Sequence, residues 1–120
     1  MRKENVAYEK AYSFALQAIK ACSEVKKQHR EYVLSRQLIR SATSVGANLA
    51  EAEVAISRAE LSSKVSIAYK ECRESAYWVN LLRDAGYMNK TDASVLLASA
   101  DEINRILFST IRTLRFKDQK

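Results

Sequence analysis

The sequence predicts an all-α protein, an antiparallel up-down-up-down four-helix bundle, on three observations. Its 120 residues contain no proline and only two glycines. Helix interiors exclude proline and penalise glycine, whereas a β-sandwich or barrel needs turn residues throughout. Apolar residues recur at alternating steps of three and four in four separate segments, the spacing of one helix face. Short polar or glycine-bearing breaks divide the segments, and four helices so connected pack up-down-up-down at shallow crossing angles. Hydrophobic residues make up 48% and charged residues 28%. A chain of this length forms one domain, here 1–120, that buries a core without disulfides or metal.

The first helix, expected near 5–28, carries Ala7, Ala11, Phe14, Ala18, Cys22 and Val25. The polar run Lys26 to Glu31 breaks it. The second, near 32–55, carries Leu34, Leu38, Ala42, Val45, Leu49 and Ala52. Ser57 and Glu60 then form a capping box, the hydroxyl accepting from the Glu60 amide and the carboxylate reaching back to the Ser57 amide. The third, near 58–85, carries Leu61, Val65, Ala68, Cys72, Ser75, Val79 and Leu82. Gly86 suits the left-handed turn that ends it. Thr91 is the expected cap of the fourth, near 92–116, with Asp92 in its first turn favoured by the helix dipole. Its stripe is Leu96, Ala100, Ile103, Leu107, Ile111 and Leu114. Helices this similar in length make a matched rod.

No signal-peptide pattern opens the chain, and no apolar run approaches the roughly 18 residues of a membrane span. The expected location is the cytoplasm, with no membrane partner. Cys22 and Cys72 both fall on core stripes and read as buried free thiols. The net charge is +6. The basic excess gathers in Lys26–Arg40 and Ile111–Lys120, while 41–60 and 91–110 are net acidic. Such a balance favours anionic partners, although it also serves solubility alone.

Helix three has more than a core stripe. Ile67, Glu71, Glu74, Trp78 and Leu81 form a second row at the same spacing, and Tyr69, Ala76 and Tyr77 extend it. A helix apolar on two sides needs a second cover. A neighbouring subunit supplies one, so Ile67, Glu74, Tyr77, Trp78 and Leu81 are expected at a homo-oligomer interface. The alternative is that Trp78 is one large core residue with Leu81 beside it. Helix two carries a small polar row, Gln37, Ser41, Ser44, Asn48 and Glu51, and a mid-helix Gly46. Small residues admit a close helix neighbour. Glu51 and Glu74 are candidates for buried or half-buried carboxylates, with Arg40 or Arg73 as partners, or else are simply solvated.

The stretch Tyr32 to Ala52, with Gln37, Arg40, Ser44-Val45, Asn48-Leu49 and Ala50-Glu51 in order, resembles the helix-two signature of the 23S rRNA intervening-sequence protein family. Ile67 to Trp78 resembles its helix-three signature, with Glu74 at the recurrent glutamate. The likeness runs from about Tyr8 to Leu114. Arg40, Asn48, Glu51 and Glu74 are the polar residues of these signatures. Where the family often has Glu-Gly, this chain has Glu51-Ala52-Glu53, which bears on the loop entrance. The resemblance implies a four-helix bundle assembled into a ring, a pentamer, encoded within ribosomal RNA intervening sequences or standing alone in bacterial genomes. A related bundle is an accessory protein of the reverse transcriptase of diversity-generating retroelements, binding nucleic acid and the polymerase. RNA or a nucleoprotein is therefore the expected partner by likeness.

Catalysis finds little support. His29, the one histidine, lies in an expected loop. There are no Glu-x-x-His pairs for a di-iron site, no zinc set, no glycine-rich phosphate loop and no histidine base beside a serine. The chain is read as a non-enzyme with no cofactor, metal or small-molecule substrate. The nucleic-acid candidates are Lys26, Lys27, Arg30, Arg36 and Arg40 at one pole, and Arg112, Arg115, Lys117 and Lys120 at the other. No aromatic stacking motif is evident, so binding is expected to be phosphate-driven and salt-sensitive. The alternative is a protein-interaction scaffold whose partner docks on helix three or in the ring. Ordinary solvated charge would serve as well as either.

Overall fold

The computed structural model describes residues 3–118, with the side chains of 5–116. Four α-helices follow in order: α1 Lys3–His29, α2 Val33–Ala52, α3 Arg58–Asp84 and α4 Lys90–Asp118. There is no strand among the described residues. Each helix packs on two neighbours, α1 on α2, α2 on α3, α3 on α4 and α4 back on α1. The result is an antiparallel bundle with extents of 52 × 23 × 20 Å.

The expected stripes face inward. Phe14, Leu38, Val45, Leu49, Leu82 and Leu107 are among the fully enclosed side chains. Each such burial is worth about 1.5–3 kcal/mol in area removed from water. Leu34 and Leu61, placed on the stripes from sequence, are only partly buried. Met88 and Ala93 are core residues from the α3–α4 connection and the start of α4.

The helices are not matched in length. The second has 20 residues against 27, 27 and 29 for the others. It ends at Ala52 and not near 55 because the backbone tightens there. The Val54 amide donates to the Glu51 carbonyl and the Ala55 amide to the Ala52 carbonyl, both at 3.2 Å, three residues back instead of four. Ser57 is then extended, at φ −148° and ψ 160°, and starts α3.

The caps divide into expected and unexpected. The Glu60 amide donates to Ser57 Oγ at 3.0 Å. The reciprocal bond reaches the Ile56 amide, at 3.4 Å, and not that of Ser57. Gly86 sits at φ +86°. The Tyr87 amide donates to the Leu82 carbonyl at 2.9 Å and the Gly86 amide to the Arg83 carbonyl at 3.0 Å, the paired bonds of a Schellman ending. Asn89, not Thr91, caps α4: its Oδ1 accepts from the Asp92 amide at 2.7 Å and its Nδ2 donates to Asp92 Oδ2 at 3.1 Å. Asparagine ranks above threonine as a cap, and the helix starts two residues earlier for it. At α2 the cap is Glu31, one residue before Tyr32. Its carboxylate accepts from the amides of Val33, Leu34 and Ser35 at 3.1, 3.0 and 2.9 Å.

Gly46 faces α1. A Cβ there would stand 3.7 Å from the Ala11 Cβ, so the close approach is between these two helices of one chain.

Candidate nucleic-acid interface

The second row on α3 turns towards α2. Arg40 of α2 donates through Nη1 to Glu71 Oε2 at 3.0 Å and is also ion-paired to Glu74. The Trp78 indole Nε1 donates to the same Glu74 oxygen at 2.9 Å. The Trp78 N–H and the Arg40 guanidinium together hold the Glu74 carboxyl below the usual carboxylate range against the opposing effect of its burial. Arg40 is therefore the partner of Glu74, and Arg73 lies elsewhere. Glu51 is exposed and meets Lys64 at 2.7 Å. The two glutamates thus have separate partners on separate turns.

Below this surface lies a buried polar contact. Ser75 Oγ donates to Ser41 Oγ at 2.9 Å, and the same two hydroxyls are within 2.9 Å of the Glu71 carbonyl and 3.2 Å of the Leu38 carbonyl respectively. Asn48 Nδ2 donates to the Ser44 carbonyl at 2.8 Å and to Ser44 Oγ at 3.0 Å. The polar row of α2 thus satisfies itself along the α2–α3 seam. Trp78 is half-buried against the core, while Ile67, Tyr77 and Leu81 are exposed.

The basic candidates fall in three places. Lys26, Lys27 and Arg30 stand at the α1–α2 pole, where the His29 ring meets the Tyr87 ring edge-on at 5.5 Å and ties the two turns together. Arg36 is exposed on the second turn of α2. Arg40, further along, has its charge matched by two carboxylates, which sets it apart from the others. Arg112 and Arg115 lie at the opposite pole, on α4. The side chain of Lys117, and Lys120, lie outside the described residues.

Arg112 and Arg115 do not stand alone. They line a cleft of about 490 Å³ between α3 and α4 together with Lys70, Tyr69, Phe108 and Phe116, and among the described residues no acidic side chain lines it. The Arg112 guanidinium is 6.0 Å from the Phe108 centroid and 5.7 Å from that of Phe116, within cation–π reach of both. The Tyr69 and Phe108 rings are 6.1 Å apart and tilted by 36°. Arg73 reaches over Tyr69 at 5.9 Å.

Sequence reasoning missed this grouping. Phe108, Arg112 and Phe116 are spaced by four on α4, the signal of one exposed helix face. It was visible beside the core stripe of Leu107, Ile111 and Leu114. The matching α3 residues, Tyr69, Lys70 and Arg73, could be joined to it only once the α3–α4 packing was known.

On another face, an apolar groove of about 370 Å³ runs between α1 and α2. Tyr12, Leu16 and Ile19 rise from α1 beside Gly46, Ala47 and Ala50 of α2.

Burial pushes the Cys22 thiol up to about 11 and that of Cys72 up to about 12. Both are free thiols inside the bundle. Among the described residues no group of three or more His, Cys, Asp or Glu side chains is placed to hold a metal. No described helix is long and apolar enough to cross a membrane.

Fold and surface together define an all-α up-and-down bundle with a cationic, aromatic cleft on one face. Residues 3–109 match the family model of the 23S rRNA-intervening sequence protein, and the chain belongs to that family. It is also similar to a crystal structure from Bacteroides thetaiotaomicron, a protein of unknown function from the S23 ribosomal protein family. The two are 37% identical with a TM-score of 0.88, over 92% of this chain and 99% of the other. None of the curated proteins matches.

Proposed function

We propose that this chain is a non-enzymatic, oligomeric adaptor that associates with nucleic acid, chiefly RNA, by contacting phosphates. The observation that carries the reading is the gathering of Lys70, Arg112 and Arg115 around one cleft, with no acidic side chain among its described lining. Clustered cations are what a phosphate backbone selects. The basic groups at the α1–α2 pole form a second, separate contact. The family's name, which refers to an insertion in ribosomal RNA genes, agrees in direction.

Assembly into a ring of copies, a pentamer by family likeness, is part of the proposal. It is supported by the exposed Ile67, Tyr77 and Leu81 beside half-buried Trp78. Repetition around an axis multiplies weak contacts by raising effective concentration. The two free, buried thiols suit a reducing compartment, and the cytoplasm is the proposed location.

A second reading, a protein-interaction scaffold without a nucleic-acid role, is favoured by the α1–α2 groove with its exposed Tyr12, Leu16 and Ile19. Purification from native cells with and without nuclease separates the two. The adaptor brings down RNA, and replacing Arg112, Arg115 and Lys117 by glutamine abolishes that. A protein partner retained unchanged after nuclease, with no RNA recovered at physiological salt, would establish the scaffold instead.

A further inference from the structure

We infer that the α3–α4 cleft takes single-stranded nucleic acid with its bases stacked on Phe108 and Phe116, and is not a bare phosphate patch. The inference rests on the adaptor reading and names the ligand of that site.

Three features point to bases as well as phosphates. The first is aromatic surface left in water. Phe108 is 50% exposed and Phe116 57%, although the bundle core is complete without them. Apolar surface grouped in this way and rimmed by polar residues marks an interaction site. The second is their order. Ring, guanidinium and ring follow along α4 as Phe108, Arg112 and Phe116, with Tyr69 closing the inner end against Phe108. Flat π-faces alternating with planar cations are the surface on which unpaired bases stack, with little dependence on sequence. The third is charge segregation on α3. Glu71 and Glu74 turn to Arg40 of α2, whereas Lys70 lines the cleft and Arg73 overhangs its Tyr69. The cleft is therefore positive along its rim and apolar at its floor. Its volume of about 490 Å³ falls within the ~300–1,000 Å³ typical of ligand sites.

A duplex hides its base faces, so the cleft distinguishes unpaired from paired strands. An acidic peptide would satisfy the cations but leave the rings uncovered.

The test uses the full chain and fluorescence anisotropy with four probes: a short labelled oligouridine, an abasic strand of equal length, an RNA duplex and oligoglutamate. Oligouridine is expected to bind tightest. Phe108→Ala weakens it by roughly tenfold, on the scale of one lost base–aromatic stack. The slope of affinity against salt stays unchanged, because no charge is removed. Binding of the abasic strand is weaker from the outset and indifferent to the substitution. Phe108→Trp restores the oligouridine affinity. Phe108→Leu keeps apolar bulk without a π-face; it behaves like the alanine variant and covers the case in which that variant does not fold.

Equal binding of oligouridine and the abasic strand, or of oligouridine and oligoglutamate, would overturn the stacking site. So would full affinity in Phe108→Leu. In those cases phosphate contact by the cations of the cleft, and with it the adaptor reading, would still stand. No binding of any nucleic-acid probe by the unsubstituted chain would overturn both.

Discussion

Single residues explain where the helices begin, end and touch. Glu31 replaces a conventional capping residue at α2 by accepting from three backbone amides at once. Burial works to raise its pKa, but these N–H groups outweigh that and lower it. A carboxylate lowered on folding adds stability that is present above its ordinary value and is lost as pH falls through the folded value. The Glu31 contribution is thus intact at neutral pH and fades only below the usual carboxylate range. Glu31→Ala should cost about 1 kcal/mol in urea unfolding at pH 7, the typical worth of a cap. The difference from the parent chain should shrink in acid. Gly46 predicts the opposite sign. A Cβ there makes ordinary contact with Ala11, at 3.7 Å, so Gly46→Ala should raise stability by up to about 1 kcal/mol. A lowered melting temperature would mean that α1 and α2 leave no room for a methyl group at Gly46.

At the scale of the element, the α2–α3 seam is built from polar groups that satisfy one another. Ser41 and Ser75 bond at 2.9 Å inside the bundle, and each also has a backbone carbonyl in reach. Removing one hydroxyl leaves the other with that carbonyl. Ser41→Ala and Ser75→Ala should each cost about 1 kcal/mol or less, and the double variant less than their sum. Strict additivity in a double-mutant cycle would show that the two hydroxyls are not coupled. The periodicity made the four helices and the core face legible, because an inward stripe repeats every few residues and is read many times over. Gly86 and Ser57 were legible because a positive φ and a cap each demand a narrow set of residues. Asn89 and Thr91 are both acceptable caps, and only the backbone path chooses between them. The early end of α2 left no mark in a stretch that contains neither proline nor glycine. Glu31 read as part of a polar break, since its reach to three amides depends on where the chain turns.

For the molecule as a whole, the candidate site was legible in halves. Arg112 and Arg115 stood out by charge, but the rings around them belong to two helices, with Tyr69 far from Phe108 in sequence. Tyr69 and Phe108 become neighbours only through antiparallel packing of α3 on α4. Glu74 shows the converse case: its sequence context offered Arg40 or Arg73, and the fold selects Arg40. Assembly belongs to this scale too. Light scattering of the purified chain at micromolar concentration should give a closed ring of copies. Replacing Tyr77 and Leu81 by lysine should yield a smaller species that keeps its helix content. A lone subunit in the unsubstituted chain would instead leave the outer row of α3 free for another partner.

A nucleic-acid role requires that the α4 cations near the cleft hold a phosphate backbone. The salt dependence of RNA affinity measures it directly. For single strands the logarithm of affinity falls with the logarithm of salt with a slope of about −0.7 per phosphate neutralised. Exchanging Arg112, Arg115 and Lys117 for glutamine should therefore flatten the slope by about 2 as affinity drops. The same slope and the same affinity in both proteins would place the nucleic acid elsewhere, or nowhere, on this bundle.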